Sequence, residues 1–250
     1  MKKPITRAVG LTVGLMVPGL ALAQTPNVIP RDSVAFGRTY GEWAAAWWQW
    51  SLSIPATAHP LFDTADCGTG QTGPVFFLGG KVCASNAPSC TPGSATRSCT
   101  VQAGKALFFP VVNTEDSTLE ESAASSQSEE CKPEQPNPTI NCMRKFAQDL
   151  IDPTTNLSVA IDGQTIPNLK SNFRVTSPAF DFTLPKHDNL FNAVGEGPFS
   201  GGTYSLAVDD GVYVMIAPLS KGKHTLHFTG AFPQFKPPFV IDITYALTVK

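Results

Sequence analysis

The sequence predicts a mostly β protein: an antiparallel β-sandwich with an N-terminal Trp-rich α-helix and a short second helix in an acidic insertion. The first observation is at the C-terminus, where residues 239–250 alternate between apolar and mostly polar side chains, as in a half-buried strand. The second is a series of short apolar runs separated by turn residues, in a chain with 22 Pro and 20 Gly. The third is that all four tryptophans lie between Trp43 and Trp50.

The first 23 residues have the pattern of a signal peptide. Three basic residues precede the apolar run Val9–Leu22, and Ala21-Leu22-Ala23 has the small-x-small pattern of a cleavage site. We therefore predict cleavage after Ala23 and a secreted or periplasmic mature protein, with periplasm and extracellular space left open. No apolar run is long enough to predict a membrane span.

The predicted mature chain, residues 24–250, is long enough for one β-sandwich domain. The whole chain has a net charge of −2, and loss of the leader's three basic residues leaves about −5. Residues 113–150 hold eight acidic against three basic side chains. The segment from about 114 to 150 is therefore predicted to be an acidic surface insertion. The absence of a basic stripe argues against nucleic-acid binding.

Six cysteines behind a signal peptide predict three disulfide bonds, for which 15 pairings are possible. We favour Cys83–Cys90 and Cys131–Cys142 as local bridges, with Cys67–Cys99 enclosing the first of them. No C-x-x-C pair is present, which argues against a structural zinc site. The sequence predicts no metal site and no cofactor.

The Trp-rich segment has clear helix boundaries. Thr39 and Glu42 form a T-x-x-E capping box, and Pro55 prevents continuation, so a helix is predicted over about 40–52. One stripe of this helix is predicted to enter the core, and it contains Tyr40, Trp43, Trp47 and Trp50. Trp48 lies about 100° around the helix from Trp47, on the flank, where it is the candidate exposed ligand contact.

Two hairpins are predicted from Asp-Gly turns. The first joins Leu157–Ile161 to Gln164–Ile166 through Asp162-Gly163, and the second joins Tyr204–Val208 to Val212–Ala217 through Asp209-Asp210-Gly211. A short helix is predicted at about Cys142–Ile151. Further short strands are predicted at Val75–Leu78, Ala106–Val112, Phe173–Val175, Phe180–Leu184 and Lys223–Phe228.

Six blocks of sequence carry a resemblance to a known family: Glu42–Trp50, Asp63–Leu78, Gly104–Pro110, Asp210–Tyr213, Ala217–Phe228 and Asp242–Tyr245. In these blocks the chain resembles a family of uncharacterised exported bacterial β-rich proteins. The blocks cover most of the mature chain. The resemblance implies export and a β-rich fold, and no catalytic residues.

Polar side chains in the loop after the helix are candidate ligand-binding residues. His59, Asp63 and Gln71 lie in a segment rich in Pro, Gly and Thr, so together with Trp48 they could line a polar pocket. The alternative is turn chemistry, in which these side chains bond to nearby backbone groups.

No motif in the chain indicates catalysis, since G-x-S-x-G, H-E-x-x-H and the Walker glycine loop are all missing. We therefore predict a non-enzymatic exported binding or structural module, with a glycan or a cell-surface partner as its ligand. One alternative is a secreted polysaccharide hydrolase that uses unidentified carboxylates. Another is a self-associating matrix or surface component. The oligomeric state is left open.

Overall fold

A computed structural model describes residues 27–123 and 126–250, so the predicted signal peptide and its cleavage site lie outside the described residues. The predicted fold class is confirmed: the chain is mostly β, with two packed sheets and an N-terminal helix. The strands are β1 (Val75–Phe77), β2 (Ser94–Val101), β3 (Ala106–Ser117), β4 (Thr155–Ile161), β5 (Gln164–Thr165), β6 (Arg174–Thr176), β7 (Phe180–Leu184), β8 (Gly202–Ile216), β9 (Gly222–Phe232) and β10 (Phe239–Val249). The α-helices are α1 (Tyr40–Leu52), α2 (Thr118–Glu121), α3 (Ile140–Ile151), α4 (Leu169–Phe173) and α5 (Leu190–Val194).

The first sheet has the order β1-β3-β8-β6, with β7 also paired to β8, and the second has the order β2-β10-β9-β4-β5. Both sheets are mixed rather than wholly antiparallel, because β1 runs parallel to β3 and β2 runs parallel to β10. The chain crosses to the second sheet as β2 between β1 and β3. It therefore re-enters the first sheet in its original direction, as parallel pairing requires.

The first sheet lies between α1 and the second sheet. Successive residues of β3 point to opposite faces. Phe108 packs edge-on against Tyr40 of α1, with ring centroids 5.6 Å apart. Phe109 stacks at 5.1 Å on Phe228 of the second sheet. The core therefore continues through both faces of the first sheet.

The predicted capping box of α1 is present, with Thr39 and Glu42 bonded to each other's backbone. The predicted core stripe is buried: Tyr40, Trp43, Trp47 and Trp50 are each exposed by 7% or less. Each buried indole N–H has a backbone acceptor, for example Leu78 O at 2.7 Å from Trp47 Nε1. Burial of these large side chains is therefore compatible with their polar nitrogens.

The second predicted hairpin is wrong. Residues 202–216 form one continuous strand, β8, with no turn at Asp209-Asp210-Gly211. The carboxyl groups of Asp209 and Asp210 are buried. Asp209 accepts hydrogen bonds from Trp48 and Tyr213. Asp210 forms a salt bridge with Arg174. At Gly211 a Cβ would lie 2.7 Å from the Tyr213 ring, so a close contact explains this glycine rather than a turn.

The first predicted hairpin is present, since Asp162 and Gly163 have φ values of 49° and 78° between β4 and β5. The helix predicted at about Cys142–Ile151 is α3. The predicted acidic insertion does not begin as a surface segment at about residue 114. β3 continues to Ser117, and the carboxyl groups of Glu115, Asp116 and Glu121 are buried.

All three disulfide bonds have the expected pairing, Cys67–Cys99, Cys83–Cys90 and Cys131–Cys142. Such a set is typical of proteins from oxidising compartments. Among the described residues, no helix has the length and apolar character needed to cross a membrane.

Candidate functional site

A cavity of about 450 Å³ lies along the open edge of β3. β1 is three residues long and pairs with β3 only at residues 106–108. Beyond that point no described strand pairs with this edge, and the β3 residues Pro110, Val111 and 113–115 line the cavity. A cavity at the end of a sheet edge can be reached from both layers, and its walls come from α1 as well as from β9 and β10.

Most of the cavity wall is apolar. Its aromatic residues are Trp47, Trp48, Phe191, Phe228, Phe232, Phe235 and Phe239. The volume lies within the range of ~300–1,000 Å³ found for small-molecule sites, which share this apolar character. The cavity is therefore suited in size and lining to a small organic molecule.

The wall also contains an acidic cluster, which we define as Glu115, Glu120 and Glu196. Glu115 is only 6% exposed, Glu120 is half-buried and Glu196 lies exposed. Among the described residues, Lys81 is the single basic side chain in the wall, and its Nζ lies 3.3 Å from Asp63 Oδ2. The three residues of the cluster therefore have no basic partner of their own in the described part of the wall.

Glu115 lies directly across from Asp209 in the β3–β8 ladder. Both are buried, and Glu115 Oε1 and Asp209 Oδ2 have no hydrogen-bond partner. Burial raises the pKa of each carboxyl well above its ordinary value, and the Glu120 carboxyl raises that of Glu115 further. The Ser51 hydroxyl, also in the cavity wall, is a third buried polar group without a partner.

Two further carboxyl groups near this pair have perturbed pKa values. Burial and the charge of Glu196 raise the pKa of Glu120 to about 8. Burial and the charges of Glu120 and Glu121 raise the pKa of Asp116 to about 9. Protons are therefore held on part of this group at neutral pH.

Asp116, Glu121 and Cys131 bring potential ligand atoms within 4.8 Å of one another. Cys131 is bonded to Cys142, so it offers no thiolate. Two carboxyl groups remain, fewer than the six to eight oxygen ligands that Ca²⁺ prefers. We therefore assign no metal centre to this cluster.

A hydrogen-bond chain fixes Trp48 in the cavity wall. Its Nε1–H donates to Asp209 Oδ1 at 2.7 Å, and the Tyr213 hydroxyl donates to the same oxygen at 2.8 Å. Asn113 Nδ2 in turn donates to the Tyr213 hydroxyl at 3.1 Å. The Trp48 ring also packs edge-on against Trp47, with centroids 5.1 Å apart. Trp48 is partly buried, with its nitrogen bonded and its ring at the cavity.

His59, a predicted ligand-binding residue, is fully buried and lies outside the cavity wall. Its Nδ1 accepts from the Leu61 N–H at 3.1 Å, so Nε2 carries the proton and donates to Ser51 O at 2.9 Å. Burial lowers the pKa of the imidazole to about 4. The neutral ring therefore holds the end of α1 against the following turn.

Asp63 and Gln71 also bond to the surrounding chain. Asp63 Oδ1 accepts from Arg97 Nε at 2.5 Å. The Gln71 amide makes two hydrogen bonds with the Phe77 backbone, at 2.7 and 2.8 Å. Of the four predicted site residues, only Trp48 contributes to the cavity wall, and the structure does not bring the other three together with it.

Sequence reasoning missed Glu115, Glu120 and Asp209. The acid-rich segment after Val112 resembled a solvated loop, and Asp209-Asp210-Gly211 resembled a turn. A signal was present at the second place, because apolar residues flank the two aspartates on both sides. At the first place Asn113, Glu115 and Asp116 are of residue types depleted in strands, so composition gave no such signal.

Comparison with known proteins shows no family for this chain. No protein-family model and no curated protein matches the chain. One solved structure, described as PbICP-C in complex with falcipain-2, aligns with 70% of this chain and 98% of its own, at 10% identity and a TM-score of 0.21. A TM-score this low supports no conclusion about fold or function. The family resemblance of the sequence stays a prediction.

Proposed function

We propose that this chain is an exported binding protein that holds a small, mostly apolar molecule in the cavity at the β3 edge. One observation carries the proposal: Glu115 and Ser51, two residues of that cavity wall, each have a buried polar atom without a partner. Each such atom costs roughly 1–3 kcal/mol of stability when it stays unpaired. A ligand with hydrogen-bond donors at one end would supply the missing partners.

Binding is favoured over the hydrolase alternative by the protonation of the carboxyl groups. A glycosidase needs one ionised carboxyl group, as nucleophile or base, beside a protonated one. Burial raises the pKa of Glu115 well above its ordinary value and that of Glu120 to about 8, so neither carboxyl matches the ionised member of such a pair at neutral pH.

A glycan, the ligand expected from the sequence, is the second candidate. The Trp48 ring favours it, because a partly exposed indole in a cavity wall can stack on the apolar face of a sugar. The remaining walls are mainly aliphatic and phenyl groups, which suit a molecule less polar than a sugar. We therefore place the apolar ligand first.

The test uses N-phenyl-1-naphthylamine, a neutral dye whose emission rises in apolar sites. Ile241 lies in the cavity wall, whereas its neighbour Val240 is 52% exposed outside it. We expect the wild type and Val240→Trp to bind the dye, and Ile241→Trp to lose at least tenfold in affinity because the indole fills the cavity. Equal dye binding by both variants, or none by the wild type, would contradict the proposal.

The same assay compares the ligand classes, since a true ligand displaces the dye. A panel of oligosaccharides and a panel of apolar alcohols are titrated separately against the dye-loaded protein. We expect displacement by the alcohols. Displacement by oligosaccharides alone would show that the cavity binds a glycan rather than an apolar molecule. Circular dichroism of each variant confirms that the fold is retained.

A further inference from the structure

We infer that the acidic cluster recognises an ammonium group, so that the ligand of the cavity is an organic amine with an apolar body. This inference rests on the proposed function, because it assigns the head group of a ligand held in that cavity. The carrying observation is the side chain of Glu115, which is 94% buried in the cavity wall and has an unpartnered Oε1.

The chemistry of the unpaired atoms indicates a donor-rich head group. Ionised carboxyl groups only accept hydrogen bonds, and an ammonium group offers three donors. Glu115 and Glu120 lie in the same wall as the unpartnered Ser51 hydroxyl. These three groups provide an acceptor for each ammonium donor, whereas an alcohol supplies a single donor.

The charge of the wall indicates a cation. Three carboxyl groups line the cavity, and the single basic side chain found in the described part of its wall, Lys81, is engaged by Asp63. Opposite charge nearby favours the ionised form of a carboxyl. A bound ammonium would therefore let one member of the Glu115–Glu120 pair ionise, with release of its proton to solvent.

The rest of the wall favours an organic cation over a metal ion. Hard metal ions take six or more oxygen ligands and retain water. Here aromatic side chains, including Trp48 and Phe191, line the same cavity as the carboxyl groups. An indole face attracts an ammonium group, and the phenyl groups accommodate its hydrocarbon chain.

Octylamine and octan-1-ol form a probe pair with the same chain and different head groups. Isothermal titration at pH 7.5 gives the dissociation constant of each probe for the full mature chain. We expect the wild type to bind octylamine at least tenfold more tightly than octan-1-ol, with proton release that appears as a dependence of the heat on the buffer. Ile241→Trp should weaken both probes.

Glu115→Gln and Glu120→Gln test the head-group contact. Each should reduce the preference for the amine to under about threefold while the affinity for octan-1-ol changes less than twofold. Asp181→Asn is the matched control, since it removes one carboxylate from the exposed side of β7, and it should leave both affinities unchanged.

The outcomes separate the two proposals. Equal affinity for the two probes, with both lost in Ile241→Trp, overturns the ammonium inference and retains the binding cavity. Binding of octylamine that Ile241→Trp does not weaken overturns it as well, because the amine then binds elsewhere. No binding of either probe, together with no dye binding, overturns both proposals.

Discussion

Glu115 of β3 and Asp209 of β8 are cross-strand neighbours, and each has one buried carboxyl oxygen without a hydrogen-bond partner. Two ionised carboxylates directly opposite each other repel. Burial raises the pKa of both groups, so the folded chain holds protons that the unfolded chain releases near pH 4. The free energy of unfolding therefore depends on pH through this pair.

The free energy of unfolding should fall as pH rises from about 6.5 to about 8.5. A carboxyl with a higher pKa in the folded state contributes stability that is complete below its unfolded pKa and is lost as pH approaches its folded pKa. For Glu120 that folded pKa is about 8, and for Asp116 about 9. The unfolded His59 imidazole, with a pKa near 6.5, still releases protons up to about pH 7.5 and opposes the fall, so the fall is steepest above about pH 7.5. Urea denaturation across this range measures the effect.

Asp209→Asn and Asp210→Asn should have opposite effects on that profile. The amide introduced at position 209 can donate to Glu115, so this variant should gain about 1 kcal/mol or more at pH 8.5 relative to wild type. Asp210 holds Arg174 at 2.6 Å, so its replacement should lower stability at every pH tested. A profile of Asp209→Asn parallel to that of the wild type would contradict the assignment.

His59→Ala should destabilise the protein by about 2–4 kcal/mol in urea denaturation. The change leaves the Leu61 N–H and the Ser51 carbonyl without partners and opens a hole next to Trp50, whose ring centroid lies 6.2 Å from the imidazole. The exposed His187→Ala is the control and should change stability by less than about 0.5 kcal/mol. Similar values for the two variants would show that His59 has no such role.

Removal of the Cys67–Cys99 bridge should cost more than removal of Cys83–Cys90. The bridges span 32 and 7 residues, which corresponds to about 3.7 and about 2.5 kcal/mol of loop-closure entropy. Paired Cys→Ser variants, compared by thermal and urea denaturation, give the order. Full reduction of the wild type should add six hydrogens to the intact mass, and a smaller gain would mean fewer bridges.

Arg97→Lys should weaken ligand binding, although Arg97 is not one of the residues that line the cavity. Arg97 donates to the carbonyl oxygens of Gly79 and Gly80 and to the Tyr245 hydroxyl, and it pairs with Asp63. The single ammonium group of a lysine cannot make the several hydrogen bonds of the planar guanidinium group. The wall segment that contains Gly80 should therefore become more mobile. We expect dye affinity to fall about threefold to tenfold. Arg38→Lys, an exposed change over the Trp43 ring, should leave dye affinity unaltered.

Local signals predicted much of the fold. The capping box and the three- and four-residue spacing placed α1 and its core stripe, because both depend on residues within one or two turns of helix. The Asp162-Gly163 hairpin and the alternating C-terminal strand β10 depend on equally local rules. The short separation of two cysteine pairs likewise limited the plausible bridges.

Non-local relationships could not be predicted from these rules. The Asp209-Asp210-Gly211 segment has turn composition, and only its distant partners Trp48 and Arg174 explain why it stays extended. The parallel pairing of β2 with β10 joins segments more than 130 residues apart. The cavity depends on β1 stopping at Phe77, so its acidic wall is visible only in three dimensions.

Because every tryptophan lies on α1, intrinsic tryptophan fluorescence reports on this helix alone. Three of the indoles have fixed backbone acceptors, and the fourth, Trp48, reports on Asp209 and the cavity. Intrinsic emission therefore follows the docking of this one helix and says nothing directly about the second sheet. Unfolding curves from tryptophan emission and from far-ultraviolet dichroism would diverge if α1 detached before the sheets separated.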